Sequence, residues 1–419
     1  MVNADTNAVQ YEQVFPEVPV AYERDDTLLS LFEKQSPESE SAQRRFRIAT
    51  QVRPGGRFRY VSLDNGALGR GGASKYLESY LTPIDMAFAV ELSKKVEIAT
   101  NSKKKALFDV VNRETASGMK QARTALDIAA NGPGSGILGL PTIAGTTWTF
   151  PTTGPGVSWF YAGQGIELYT STFATKRAGV AIVQTIDPAA STITVDALPT
   201  NGVTGDVAVV EGLTQGAGLA QGLYGLDYHI NSANTGTWQN VNRADYPEVR
   251  SVEYPAGSAA LSYTFGRLLV NKIAKLLGVD FATGQGLIWY GNLEQKHAME
   301  IQAQTSMIVN KSGGASQNYD GSFDIASFVG LRVKFGIHAN PRNLYAIKPK
   351  TFIRAVQMPL KYYTVPGPGG GSATTFPIYN ADGAIEATGI WWLCTSMQLA
   401  NNLPRANGLI SGLGVPAGY

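Results

Sequence analysis

Opposite charges are laid end to end at the start of this chain. Residues 1–42 carry Asp5, Glu12, Glu17, Glu23, Asp25, Asp26, Glu33, Glu38 and Glu40 against only Arg24 and Lys34. The next stretch carries Arg44, Arg45, Arg47, Arg53, Arg57, Arg59, Arg70 and Lys75 against only Asp64 and Glu78. Blocks of one sign are hard to place inside one compact core, where each charge needs a partner or water. They suit two extensions that reach for complementary surfaces on neighbouring copies. Assembly is therefore expected before chemistry.

The rest of the composition agrees. The chain has 419 residues and a formal net charge of +2, with 16% charged residues and 46 glycines. An ordinary soluble domain has about 25% charged residues. A chain so poor in charge and rich in glycine and aromatics is expected to hide much of its surface against other subunits. The near-zero net charge argues against a sequence-reading nucleic-acid binder, which would carry a basic face. Cys394 is the one cysteine, so an intrachain disulfide and a cysteine zinc site are excluded; it reads as a small buried apolar residue in a reducing compartment. The acidic N-terminus lacks signal-peptide features, and no apolar run approaches a membrane span. Without secretion, the sequon Asn310-Lys311-Ser312 carries no glycan.

Along the chain, residues 1–42 read as an extended arm with one short helix near Thr27–Gln35. Residues 46–80 alternate around Phe46, Ile48, Phe58 and Tyr60. With Pro54-Gly55-Gly56, Asn65-Gly66, Gly69, Gly71 and Gly72 between them, they form a long hairpin that needs something to rest on. Thr82-Pro83-Ile84-Asp85 has the chemistry of a helix start. Helical spacing resumes after a polar break at 101–105, through Leu107, Val110, Val111, Met119, Ala122 and Leu126, and stops at Asn131-Gly132-Pro133. The run Ala106–Ala130 alone spans about 37 Å and suits a structural spine. Strands are expected at Gly179–Ile186, Thr192–Ala197 and Asp206–Glu211, helices at Phe265–Leu277 and Leu293–Val309, and strands again from Leu331, the last of them the doubly apolar run Gly383–Met397.

The motifs that could carry chemistry fall short of their requirements. Gly134-Ser135-Gly136-Ile137-Leu138-Gly139 has dinucleotide spacing but follows a helix end, so it reads as a turn or hinge. Glu294, His297 and Glu300 have ligand spacing on a helix, yet no second such motif completes a di-metal site. Asp227 and His229 could share a face with Ser232 or Ser251 as nucleophile, but the strand–Ser–helix elbow is missing. A glycosidase pair of carboxylates stays open, although acids are sparse beyond the arm. The basic hairpin could stack nucleic acid on Phe46, Phe58 and Tyr60; the acidic arm offers it a protein partner instead. No catalytic residue, cofactor or metal is expected.

The order of parts resembles the tailed-phage major capsid protein family, with the Hong Kong 97-type fold. Local likenesses are Ala174-Thr175-Lys176-Arg177, the Ile186–Glu211 strands, Gly222-Leu223-Tyr224-Gly225-Leu226, and the run from Met397 through Gln398, Leu399, Ala400, Asn401, Asn402, Leu403 and Pro404 to Arg405. The resemblance implies an α+β fold. It has an N-arm (1–42), an E-loop hairpin (43–80), and a P domain made of a spine-helix part (81–133) and returning strands (331–404). It also has an A domain (134–330) with a β-rich lobe at 176–226, and a tail (405–419). It implies homo-pentamers and homo-hexamers in an icosahedral shell around double-stranded DNA held by non-specific contact. A separate scaffolding protein, a portal and a decoration protein would be further partners. The subunit would act in the virion and, during assembly, the host cytoplasm. The hairpin arginines and Lys75 would contact neighbouring subunits, as would Glu12, Glu17, Glu23, Asp25, Asp26 and Glu33 of the arm. Gly69, Gly71 and Gly72 would hinge the hairpin during shell expansion, and no covalent cross-link is expected at Lys75. A bacterial nanocompartment shell of the same fold, and a carbohydrate-active or hydrolytic enzyme, remain the alternatives.

Overall fold

The computed structural model describes residues 28–35, 45–58, 60, 71–93, 104–213, 222–278, 286–309, 327–366, 372–373, 376–379 and 385–416. Its frame is a sheet built on one 17-residue strand, Ile385–Asn401. One edge of that strand pairs antiparallel with Phe352–Tyr362 and Phe376–Tyr379, the other with Ile84–Ser93. A strand stands where the doubly apolar run was expected; its part from Leu393 to Asn401 is buried apart from the half-covered Cys394, while Ile390 and Trp392 are half-covered.

The helix expected to start at Thr82 starts instead at Lys104 and runs to Asn131. Residues 84–93 are a strand in ten-residue register with residues 388–397. Ile84, Met86, Phe88, Val90 and Leu92 are apolar at every second position, the period of a half-buried strand. That alternation, joined to a full ladder of backbone bonds, outweighs a local Thr-Pro capping signal. The helix lies across this sheet. Met119, Leu126 and Ala130 meet Phe352, Leu360, Leu393 and Leu399 in one core. Its end matches the expectation: Asn131 Nδ2 donates to Asp127 O at 2.8 Å.

The arm's expected short helix is a 3-10 turn at Leu29–Leu31, followed by a strand, Glu33–Gln35, parallel to the chain's own residues 353–355. Leu28, Leu29 and Phe32 are buried in the same core, with Phe32 stacked on Phe352 at 4.6 Å. The hairpin pairs Phe46–Arg53 with Lys75–Leu81, so its returning strand lies beyond the glycines and Phe58 and Tyr60 stand outside the ladder.

Two further layers complete the body. Seven short strands between Ile137 and Val210 wrap around Trp148, Phe150, Trp159, Phe160 and Leu168. The first two, 137–139 and 142–144, lie at opposite ends of the strand order. Ile143 is nevertheless tied to Thr204 (Ile143 N–H to Thr204 Oγ1, 2.9 Å), which brings the lobe close to a closed barrel. A six-stranded mixed sheet runs in the order 252–255, 408–411, 344–347, 288–291, 331–335, 327–328. The expected helices Tyr263–Leu277 and Leu293–Val309 cover its Trp289 face. The first is capped by Ser262, whose hydroxyl accepts from Phe265 N–H at 3.3 Å, and ends at Gly278 with φ 99°.

Candidate functional site

The combinations that sequence could have read as catalytic are dispersed into structural roles. Tyr345 Oη donates to Asp227 Oδ1 at 2.5 Å, and burial raises the Asp227 carboxyl to about 6. His229 Nε2 lies 3.1 Å from Leu399 O and Nδ1 accepts from Trp238 Nε1 at 3.2 Å, so the imidazole is neutral; burial lowers its pKa to about 3. Ser251 Oγ sits between the carbonyls of His229 and Pro404, and Ser232 bonds Glu253. Among the described residues no hydroxyl is bonded to the imidazole, whose two nitrogens go to Leu399 O and Trp238 Nε1, so these four side chains do not form a nucleophile–base pair. His297 Nδ1 is 3.8 Å from Glu300. Among the described residues no cluster of three or more His, Cys, Asp or Glu could hold a metal. Gly134 and Gly136 take positive φ in a turn leading into the strand Ile137–Gly139, where a dinucleotide site would need a helix N-terminus to hold its phosphate.

The hairpin, or finger, carries the most exposed large aromatic side chains among the described residues. Its ladder lies on the body: midway along it Leu77 packs beside Trp238 and Val249, and Thr50 Oγ1 donates to Asn402 O at 3.0 Å. Lys75 lies over the Tyr246 ring at 4.8 Å. Arg47 stands 3.7 Å from Glu78 and 5.4 Å over Tyr80, both on the finger itself. Arg45, Arg53 and Arg57 are exposed. Gly56 N–H donates to Gly72 O at 2.9 Å, tying the two sides of the hairpin beyond the ladder. Phe58 and Tyr60 are 86% and 94% exposed, edge to face at 5.4 Å. Gly71 and Gly72 are exposed and outside any strand. Arg44, Arg59, Arg70 and Gly69 of the hairpin lie outside the described residues, as do Glu12, Glu17, Glu23, Asp25 and Asp26 of the arm. Glu33 sits in the strand paired to Ile353.

On the body, between the spine helix and the Ile84–Ser93 strand, lies an open apolar groove of about 430 Å³. Met86, Phe88, Leu126 and Leu360 form its floor, and Asp85 and Glu211 are its charged lining residues. Burial, with Glu211 adding to it, raises the pKa of the Tyr161 hydroxyl beside it. Sequence reading missed this groove, because its walls come from segments more than two hundred residues apart. It also missed the aromatic knot under the finger, made of half-buried Tyr224 and Tyr228 with buried His229 and Trp238; spacing along the chain gives no sign of rings that meet only after folding.

Neither a family profile nor a curated protein matches the sequence. Solved structures do. The capsid asymmetric unit of cyanophage A-1(L) superposes with TM-score 0.55 at 12% identity over 93% of both chains. The capsid of Myoviridae phage XM1 gives 0.42 at 11% identity, over 92% of both chains. The satellite phage P4 procapsid gives 0.42 at 8% identity, over 96% of this chain and 91% of that one. At such identities the likeness to the cyanophage subunit is one of architecture, and that architecture is the tailed-phage major capsid protein fold.

Proposed function

We propose that this chain is the major capsid protein of a tailed double-stranded DNA phage, a non-enzymatic subunit that closes an icosahedral head as pentamers and hexamers. The arm (1–42), hairpin (43–80), spine and returning strands (81–133, 331–404) and the central region (134–330) take the roles of N-arm, E-loop, P domain and A domain. The observation that carries this reading is a mismatch within one molecule. Phe58 and Tyr60 are held almost fully in water beside Arg53 and Arg57, while a groove with apolar floor and carboxylate lining stays open on the body. Large exposed aromatics beside arginine are the usual anchors of an interface. The eight-residue strand carries Arg53 about 25 Å from the root, and the root at Leu81 is three residues from Ile84, which lines the groove. The finger cannot bend back there without losing its ladder, so the complementary surface is that of another copy. A heterologous contact of this kind, repeated about rotation axes, closes a shell.

The arginines, Lys75 and the arm carboxylates would then act between subunits, Gly69, Gly71 and Gly72 as hinge, with scaffold, portal and DNA as further partners in a virion. Electron microscopy of the purified chain, alone and with its scaffold, tests this. Closed particles are expected, together with their loss in the double variant Phe58→Ala, Tyr60→Ala at unchanged thermal stability. A wild-type chain that stays monomeric at every concentration and with scaffold present would refute it.

A further inference from the structure

The finger rests on a second, much smaller hairpin whose turn is strained. Thr237–Trp238 pairs with Val241–Asn242, so Gln239 and Asn240 are the two central residues of a two-residue turn. Their φ values are 45° and 64°. A turn of this class favours glycine, asparagine or aspartate at both positions; Asn240 suits it, and glutamine does not. Such a conformation persists only where the surroundings over-determine it. Here they do. Gln239 is 1% exposed; its N–H donates to Tyr228 Oη at 2.8 Å and its carbonyl accepts from Tyr80 N–H at 3.2 Å. Tyr228 is itself stacked on Tyr224 at 4.0 Å, with the Arg243 guanidinium 5.8 Å from its ring centre.

The side chain completes the grip. Ser79 is 1% exposed, and its Oγ lies 3.1 Å from Gln239 Oε1 and 3.3 Å from Ile48 O. One hydroxyl proton cannot serve both acceptors. In that orientation Gln239 Nε2 is also a buried donor with no partner among the described residues. Turning the carboxamide over resolves the donor problem: Nε2 donates to Ser79 Oγ, and Ser79 Oγ donates to Ile48 O. The result is a relay from the body through one finger strand to the other. Lys75 lies over Tyr246, Thr50 donates to Asn402 O and Leu77 packs beside Trp238 and Val249, whereas Gln239, through Ser79, ties both strands by hydrogen bonds at a buried point.

We propose that Gln239 is a latch that sets the direction of the finger. The strained turn holds its carbonyl against Tyr80, and the Gln239–Ser79–Ile48 relay is the catch. Opening the relay lets the finger move as a unit about its root and redirects Phe58 and Tyr60. The latch belongs to the single chain and stands whether or not the chain builds a shell.

Hydrogen exchange on the unassembled chain tests this. Ser79→Ala and Gln239→Ala are each expected to speed exchange of the Tyr80 amide about tenfold or more, and of the finger ladder with it. The spine helix and the mixed sheet stay within about twofold. The double variant adds little to either single change, since both open one relay. Ser79→Cys keeps the shape of the side chain at a slightly larger size and weakens the bond, giving the same pattern at smaller size should the alanine variants fold poorly. Asn240→Gly, which favours the turn without touching the finger, preserves Tyr80 protection. Unchanged Tyr80 exchange in the Ser79 and Gln239 variants would overturn the latch, as would faster exchange spread evenly over the whole chain.

Discussion

Asp227 and His229 sit two residues apart on one short helix, Asp227 partly covered and His229 fully buried, with proton affinities moved in opposite directions. Burial raises Asp227 from 3.8 to about 6 and lowers His229 from 6.5 to about 3. A raised folded pKa gives stability that is complete below the unfolded value and lost as pH rises through the folded one. Asp227 therefore contributes most below pH ~4 and loses about 3 kcal/mol by pH 7, at roughly 1.4 kcal/mol per unit. A lowered folded pKa on a base works the other way: His229 contributes fully above pH ~6.5 and loses stability as pH falls toward 3. Between about pH 4 and 6 the folded chain holds its proton on Asp227 and the unfolded chain on His229. The two slopes cancel there. Asp227→Asn should remove the compensation, so that stability relative to the parent falls by up to about 1.4 kcal/mol for each unit of acidification from pH 6.5 to 4.5. His229→Gln should do the reverse, gaining relative stability as pH falls from 6 to 4. Urea titrations at several pH values measure both, and parallel pH profiles in all three proteins would show that these groups do not titrate as their burial demands.

At the scale of elements, the strand at 84–93 and the helix at 104–131 show how far local rules reach. The helix body and its Asn131-Gly132 end are legible, because period and stop signal agree over many residues. The start is not, because Thr82-Pro83-Ile84-Asp85 looks the same whether a helix or an edge strand follows, and ten ladder pairs to residues 388–397 decide it. Asp85 is exposed and caps nothing. Asp85→Ala should therefore change stability by less than about 0.5 kcal/mol, where loss of a helix cap would cost about 1 kcal/mol. Leu126→Ala, by contrast, opens a cavity between helix and sheet at a residue 5% exposed. It should cost about 3 kcal/mol in chemical denaturation; a loss below about 1 kcal/mol would mean that the helix does not pack as described. The barrel-like lobe was partly legible. Its strands at 181–187, 192–195 and 207–210 lie where alternation and turn residues put them, and the three short strands before residue 150 carry too few residues to show a period.

For the whole molecule, the proposed shell rests on contacts between basic finger and acidic surfaces, and such contacts are screened by salt. Raising ionic strength from about 0.05 M to 1 M shortens the Debye length to about 3 Å, so the concentration needed for assembly should rise several-fold in light scattering. Assembly indifferent to salt would leave the apolar anchors as the driving contact and remove the charge argument. The charge blocks, the glycine-rich hairpin, the spine and the long covered strand are all local patterns, and together they determined the order of parts and the expectation of an assembling subunit. Sequence alone could not say that residues 28–35 fold onto their own core, that Phe58 and Tyr60 stand clear of the ladder, or that Gln239 reaches Ser79 across 160 positions. Those outcomes depend on surfaces that exist only once distant segments have met. Periodicity records which side of an element is apolar, and only the folded chain selects what that side touches.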